Sequence, residues 1–324
     1  MKKKLVLTLI LYSLTLNADQ FSFSLYNDYF AGTDKHFSNG AAFCWLDDNH
    51  DNASYTNLVL TIADTLHINL DKSKNYNAGV SLSQTTITPD NTEISTVQYD
   101  DMPYAGILMI STFLFQWDNK SFNEYSLETG VVGKESMVKS VQETFHSLIG
   151  NDSVKGWNTQ LKTRYTVNLL LQYGEKTWED EADNDLNADW FNHFGANIGN
   201  FKTSAFVGTA FRIGKNYAKN FNVHYPYLKE EALLLPVDKS HKGFGWSLSS
   251  GIDTELLAYT YILDEAKHEG YNSDKNIFSA SLFLGGDLCY FNHRLSLFYQ
   301  SRSPYTKGKN NTDFFGNIMY TYQF

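Results

Sequence analysis

Gln142 and His146 stand one helical turn apart in ESMVKSVQETFHSLI, residues 135–149, and form the clearest candidate pair for proton chemistry. A neutral imidazole can take a proton from water near neutral pH, and a neighbouring amide can hold the ring or its helix in place. A second group is rich in oxygen. Asn27 and Asp28 follow the first run of alternating apolar and polar residues, Ser38 lies in the next such run, and Asp152 comes just after the helical stretch. Asp, Asn and Ser offer hard oxygen donors of the kind Ca²⁺ takes. The same residues also fit a polar interior with Asn and Asp in a turn. A single helix histidine is more often a hydrogen-bonded surface residue than a catalyst.

The elements around these residues read as strands. Val138, Val141, Phe145, Leu148 and Ile149 recur at helical spacing, which makes residues 135–149 the one convincing amphipathic helix. Residues 1–18 join Lys2, Lys3 and Lys4 to an apolar run from Leu5 to Leu16 and then Ala18, the pattern of a cleaved secretory signal. Residues 19–324 are then expected to form a single domain, since no repeat or linker divides them. No later apolar stretch is long enough for a spanning helix, so a membrane-crossing chain must cross as strands. In the last strand Phe314, Gly316, Ile318, Tyr320, Tyr322 and Phe324 share one face, and more polar residues share the other. That alternation suits lipid on one side and a polar lumen on the other. A terminal strand ending in Phe also resembles the recognition signal of Gram-negative outer-membrane barrels. Aromatic residues make up 15% of the chain at a mean hydropathy of −0.36, as expected when apolar positions alternate with polar ones.

About twelve strand candidates result, near residues 20–30, 36–46, 75–88, 104–117, 122–133, 160–175, 187–199, 201–214, 244–264, 276–290, 293–303 and 313–324. An even count lets an antiparallel sheet close, so the expected fold is all-β: a twelve-stranded antiparallel transmembrane β-barrel with a short extracellular-side helix. Asn292-His293 suits a tight turn, 47–56 and 215–243 suit surface loops, and TNLVLTIADTLHI is ambiguous between strand and helix. Alternation places Asp28 with Ser22 and Ser24 on the inner face, so Asp28 and Ser38 are expected to meet inside. Asn27 would need a bulge or the strand end to join them. Phe37, Phe43 and Trp45 are expected on the lipid face of the second strand.

The net charge of −10, more negative once the amino-terminal lysines leave with the signal, disfavours nucleic acid as a partner. Cys44 and Cys289 are expected to be free thiols, because opposing positions in a barrel wall easily exceed bonding reach. The chain has no CxxC, HExxH, phosphate-binding glycine loop or GxSxG elbow, which removes several familiar enzyme classes.

In order along residues 21–164, YND-YFAGTDKHFSNG, SLSQTTITPDN, YDDMPYAG, SVQETFHSLIGND and GWNTQ resemble the outer-membrane lipid A 3′-O-deacylase family. The resemblance implies a monomeric barrel in the outer membrane of a Gram-negative cell, with its active site between the wall and the helix. It implies Ca²⁺-dependent hydrolysis of the ester-linked 3′ acyloxyacyl group of lipid A, with lipopolysaccharide as substrate. Carried over by motif, His146 activates water, Gln142 orients the histidine or its helix, and Asn27, Asp28, Ser38 and Asp152 position the metal. Two departures bear on substrate preference. Residues 75–119 hold no Lys or Arg where some relatives have a lysine, and Met102 stands where many have arginine. Arg164 is a candidate to compensate. The rival expectations are an outer-membrane phospholipase and a non-enzymatic porin-like barrel whose helix plugs the lumen.

Overall fold

The computed structural model describes residues 20–27, 37–48, 55–65, 67–68, 70–71, 73–149, 154–181, 186–217, 221, 243–308 and 312–324. The signal segment 1–18, Asp28 and Asp152 lie outside the described residues. Twelve strands appear: β1 (Gln20–Asn27), β2 (Phe37–Asp48), β3 (Asn75–Ile87), β4 (Ala105–Trp117), β5 (Ser121–Val132), β6 (Arg164–Glu181), β7 (Asn187–Gly199), β8 (Lys202–Lys215), β9 (Phe244–Thr260), β10 (Phe278–Tyr290), β11 (His293–Arg302) and β12 (Asp313–Gln323). Each pairs antiparallel with its sequence neighbours, and β1 pairs with β12 to close the barrel. Among the described residues three α-helices accompany them: α1 (Tyr55–Thr65), α2 (Val138–Ile149) and α3 (Tyr261–His268). No helix among the described residues is long and apolar enough to cross a membrane, so crossing falls to the strands.

Alternation sorts the side chains as the terminal strand predicts. Phe21, Phe23 and Leu25 of β1 stand in register with Tyr322, Tyr320 and Ile318 of β12 on the outer face. Ser22 and Ser24 are buried inside, bonded to Thr321 at 2.9 Å and Asn317 at 2.5 Å. Large exposed apolar residues such as Phe194, Val207, Leu248, Ile252 and Leu284 continue the outer belt around the sheet. The start of β1, the end of β12 and the short connections 118–120 and 291–292 lie at one end of the barrel, the terminal end. The connections 88–104, 133–163 and 261–277 lie at the opposite rim.

The lumen is packed. At the rim, Tyr261, Ile262, Leu263 and Ala266 of α3 join Ile87, Met102, Ile107, Phe201, Tyr305 and Phe315 in one buried cluster. Residues 261–264 were expected to extend β9, but they turn inward as this helix, with the Asp264 carboxylate accepting from the Thr260 amide at 2.8 Å. Burial pushes the Tyr261 phenol up to about 12, and it stays a neutral donor to the Lys162 carbonyl at 2.9 Å. Toward the terminal end, Phe113, Phe115, Phe122, Phe191 and Phe283 form a second cluster. Phe221 stacks into it against Phe122 and Phe191, and Tyr217 donates to Asp189 at 3.0 Å inside the barrel. These two residues belong to the stretch 215–243 that was expected to be a surface loop, so part of that connection turns inward.

Buried ion pairs and a histidine–carboxylate contact lie beside these clusters. Lys202 meets Glu255 at 2.6 Å, Arg212 meets Asp189 at 2.5 Å, Arg294 meets Asp287 at 2.8 Å and His193 meets Asp253 at 2.6 Å, all buried. Removing one partner of such a pair costs about 3–5 kcal/mol, because the other charge is left without compensation. Cys44 and Cys289 are buried and form no disulfide.

Candidate active site on the outer wall

Helix α2 lies against the outside of the barrel, over the rim ends of β3 and β4. The side of the wall follows from register. On β4, Ala105, Ile107 and Met109 face the lumen cluster, which leaves Gly106, Leu108 and Ile110 outward, with Ile110 48% exposed. Gly106 is where the helix lands. A Cβ there would come within 2.4 Å of Ser136 Oγ and 2.7 Å of Val138 Cβ, so only glycine admits this approach. The helix is led in by a 3₁₀ turn at Lys134–Ser136, followed by Met137 in the left-handed region at φ 61°. At the start of that turn Thr163 donates to Glu135 and holds the exposed Glu135 carboxyl below the usual range.

Beneath the first turn of α2, Tyr104, Val138 and Trp157 form a small buried cluster. Trp157 Nε1 donates to Gln142 Oε1 at 2.7 Å, and both side chains are buried. Gly156 lets the Tyr104 ring close on the chain, since a Cβ there would lie 2.1 Å from Cε2. Burial raises the Tyr104 phenol above its ordinary value, so it remains neutral. The YAG and GWN stretches thus have a mechanical meaning. Each supplies one glycine and one aromatic ring to the seat of α2.

A row of polar side chains crosses the outer wall beside this seat. Asn27 closes β1 on the same face as Phe21, Phe23 and Leu25, and stands in register with Asn39 of β2. Thr86 of β3 donates to Asn39 Oδ1 at 2.9 Å, and Gln84 of β3 donates to the Ser136 carbonyl at 2.9 Å. On that face Leu82 and Phe43 pair one step nearer the membrane centre, so the wall changes from apolar to polar at the rim.

The expected site residues fall as follows. Asn27 faces outward by plain alternation and needs no bulge, and the expected meeting of the Asp28 and Ser38 side chains inside falls outside the described residues. The bulge lies in β2 instead. Register shifts between Phe37 and Asn39, leaving Ser38 as the extra residue and setting Phe37 opposite the lumen-side Ile87, off the register of Phe43 and Trp45. Gln142 is brought to the seat, with its amide oxygen engaged by Trp157. His146 follows it by one turn within α2. Met102 packs in the lumen cluster under α3, away from α2. Arg164 opens β6 opposite lumen-side Val132 and near Tyr261, so it does not replace a basic group at this site. Among the described residues no three His, Cys or acidic side chains converge on a metal position. Asn39, Gln84, Thr86 and Trp157 were not singled out from sequence. The first three could have been found as polar residues at strand positions whose neighbours are lipid-facing.

Comparisons with known proteins agree with this architecture. A protein-family model described as outer membrane protein LpxR matches residues 5–324. Among solved structures, LpxR from Salmonella typhimurium superposes with a TM-score of 0.77 at 14% identity, covering 94% of this chain and 100% of that one. At that identity the likeness speaks for the fold. The β domain of the Bordetella autotransporter BrkA gives a TM-score of 0.49 at 10% identity, covering 95% and 100%, too distant to carry an argument. No curated protein matches the chain by sequence.

Proposed function

The chain belongs to the LpxR family of outer membrane proteins, the lipid A 3′-O-deacylase family its motifs resemble, and from that membership we propose that it hydrolyses the ester holding the 3′ acyloxyacyl group of lipid A. The observation that carries this reading is the polar window of Asn27, Asn39, Gln84 and Thr86 on the outer wall, beside a helix that bears a histidine. Polar groups at lipid-facing positions are costly unless they have partners there. A lipid can reach this window sideways from the bilayer, without entering the lumen.

Val138 and Gln142 form the buried stripe of α2, and position 146 is the next step along that stripe. From there the neutral imidazole of His146 takes a proton from water as the water oxygen adds to the ester carbonyl, and returns it to the departing sugar oxygen. A general base of this kind contributes about 10²–10⁴-fold in rate. Gln142 acts through Trp157 to hold the helix at its seat. The neutral oxygens of the Asn27 and Asn39 amides suit a hard cation, and Asp28 and Asp152 would add charge. Asn27, Asp28, Ser38 and Asp152 would hold Ca²⁺, which when bound polarises the ester carbonyl. The closed sheet has no free strand edge to pair with another copy, in keeping with a monomer. The buried lumen speaks against the porin reading.

The test is mass spectrometry of lipid A from a Gram-negative host expressing the native chain or His146→Ala, with glycerophospholipids measured alongside. Loss of one 3′-linked acyloxyacyl group with the native chain alone is expected. Lipid A unchanged by the native chain, with insertion verified by heat-modifiable migration, overturns the proposal; glycerophospholipid cleavage points to the phospholipase. Thorough chelation of the purified protein should stop acyl release. An undiminished rate removes calcium from the mechanism.

A further inference from the structure

A second helix lies on the outer wall at the other end of the barrel, and nothing in the proposed chemistry uses it. Helix α1 covers the outward faces of β3 and β4 near the terminal end, where Tyr76, Ala78 and Leu114 are buried beneath Tyr55, Val59 and Leu60. Leu114 is outward by the same alternation that leaves Ile110 exposed on β4. The helix is pinned rather than loosely apposed. Asp47 Oδ2 accepts from the Thr56 amide at 3.1 Å, Thr56 Oγ1 donates to the Asp47 carbonyl at 2.8 Å and accepts from the Ala78 amide at 2.9 Å, and Tyr55 bonds Thr112. At its far end His67 adopts φ 57°, and the amides of His67 and Ile68 bond back to Asp64 and Ala63 at 3.0 and 2.9 Å.

Docking on the wall does not use up the apolar surface of α1. Leu58 remains 56% exposed and Ile62 51%, one turn apart along a flank next to the wall-facing stripe. Asn57, Thr61 and Asp64 occupy the polar arc beyond this flank, and Thr65 lies next to Leu58. Thr61 and Thr65 turn their hydroxyls back onto the carbonyls of Asn57 and Thr61 at 2.8 Å each, which lowers the cost of setting them near lipid. Asp64 is the only charged residue of the helix, so charge gives no sign of an acidic or basic protein partner. The Leu58–Ile62 flank is instead continuous with the lipid-facing belt of the barrel on which the helix is seated.

We propose that α1 is an interfacial helix, with Leu58 and Ile62 inserted among phospholipid acyl chains of the leaflet at the terminal end and the Thr61–Asp64 arc turned to the headgroups. This geometry is that of an amphipathic segment lying in the membrane plane, with the barrel wall as its third contact. The inference rests on the fold and the outer-membrane family, and stands apart from the ester chemistry.

Two measurements on the full chain in phosphatidylethanolamine/phosphatidylglycerol vesicles test it. In a Cys44→Ala, Cys289→Ala background, nitroxides are attached in turn at Leu58→Cys, Ile62→Cys, Thr61→Cys and Asp64→Cys. Collisions with oxygen should exceed those with a water-soluble nickel chelate by several-fold more at 58 and 62 than at 61 and 64. Equal nickel access at all four positions would overturn the proposal. The native chain, which needs no substitution, is photolysed in vesicles whose acyl chains carry diazirines. Adducts on Leu58 and Ile62 are expected; labelling of β9 with none in residues 55–65 would mean that water or a protein covers this flank.

Discussion

At the residue scale, the side chains that seat α2 say more than the histidine alone. Trp157 is enclosed and gives its one side-chain N–H to Gln142. Trp157→Phe keeps most of the ring and leaves the Gln142 oxygen buried without that donor, a cost of about 1–3 kcal/mol. The expected result is faster proteolysis within residues 133–163 and a lowered deacylation rate, with the barrel still heat-modifiable; unchanged proteolysis would show that the bond does not hold the helix. Asn27 shows what sequence could and could not supply. Alternation from Phe21 already set its direction outward. The helix itself was legible at residues 135–149, but its seat on the outer face, which makes an outward asparagine useful, was not, because a pattern of residues does not reveal which face of a sheet a distant loop folds over. Trp157 was legible only as a letter in GWNTQ, since its partner sits fifteen residues earlier on another element.

At the element scale, the strands were the most legible part of the molecule. Eleven fall within four residues of the periodic runs and β6 continues six residues past its own, because lipid on one side and a packed interior on the other force a period of two throughout. The helices were less legible for a related reason. Helix α1 is apolar on both its wall and lipid flanks, which blurs the helical repeat in TNLVLTIADT, and α3 continues the apolar content of β9 before turning into the lumen. The bulge at Ser38 left no mark in the pattern. The seat of α2 at Gly106 yields a prediction that belongs to this scale. Gly106→Val places carbon where Ser136 and Val138 now lie, a strain of about 1–3 kcal/mol that the lead-in turn can relieve only by lifting the helix. Acyl release should fall by at least tenfold while the strand content by circular dichroism stays unchanged. Retained activity in this variant would mean that the helix is not required at its seat.

At the scale of the whole molecule, the described lumen is crowded with side chains and the proposed chemistry lies on the outside. Apolar clusters toward both ends and buried ion pairs beside them crowd the described lumen. Planar-bilayer recordings should therefore show no unitary conductance from the inserted protein, and steady ion-selective steps would contradict the packing. The interior could be anticipated as polar from the alternation of each strand, but not as filled, because the residues that close it arrive from α3 and from Tyr217 and Phe221 on connections whose sequence reads as loop. A filled lumen also changes what a cell risks by making the protein. Each added open barrel raises the leak of solutes and toxic compounds across the outer envelope, whereas each added copy of a solid one raises only the extent of surface remodelling. Its abundance can thus be set by the need for that remodelling, free of any osmotic penalty.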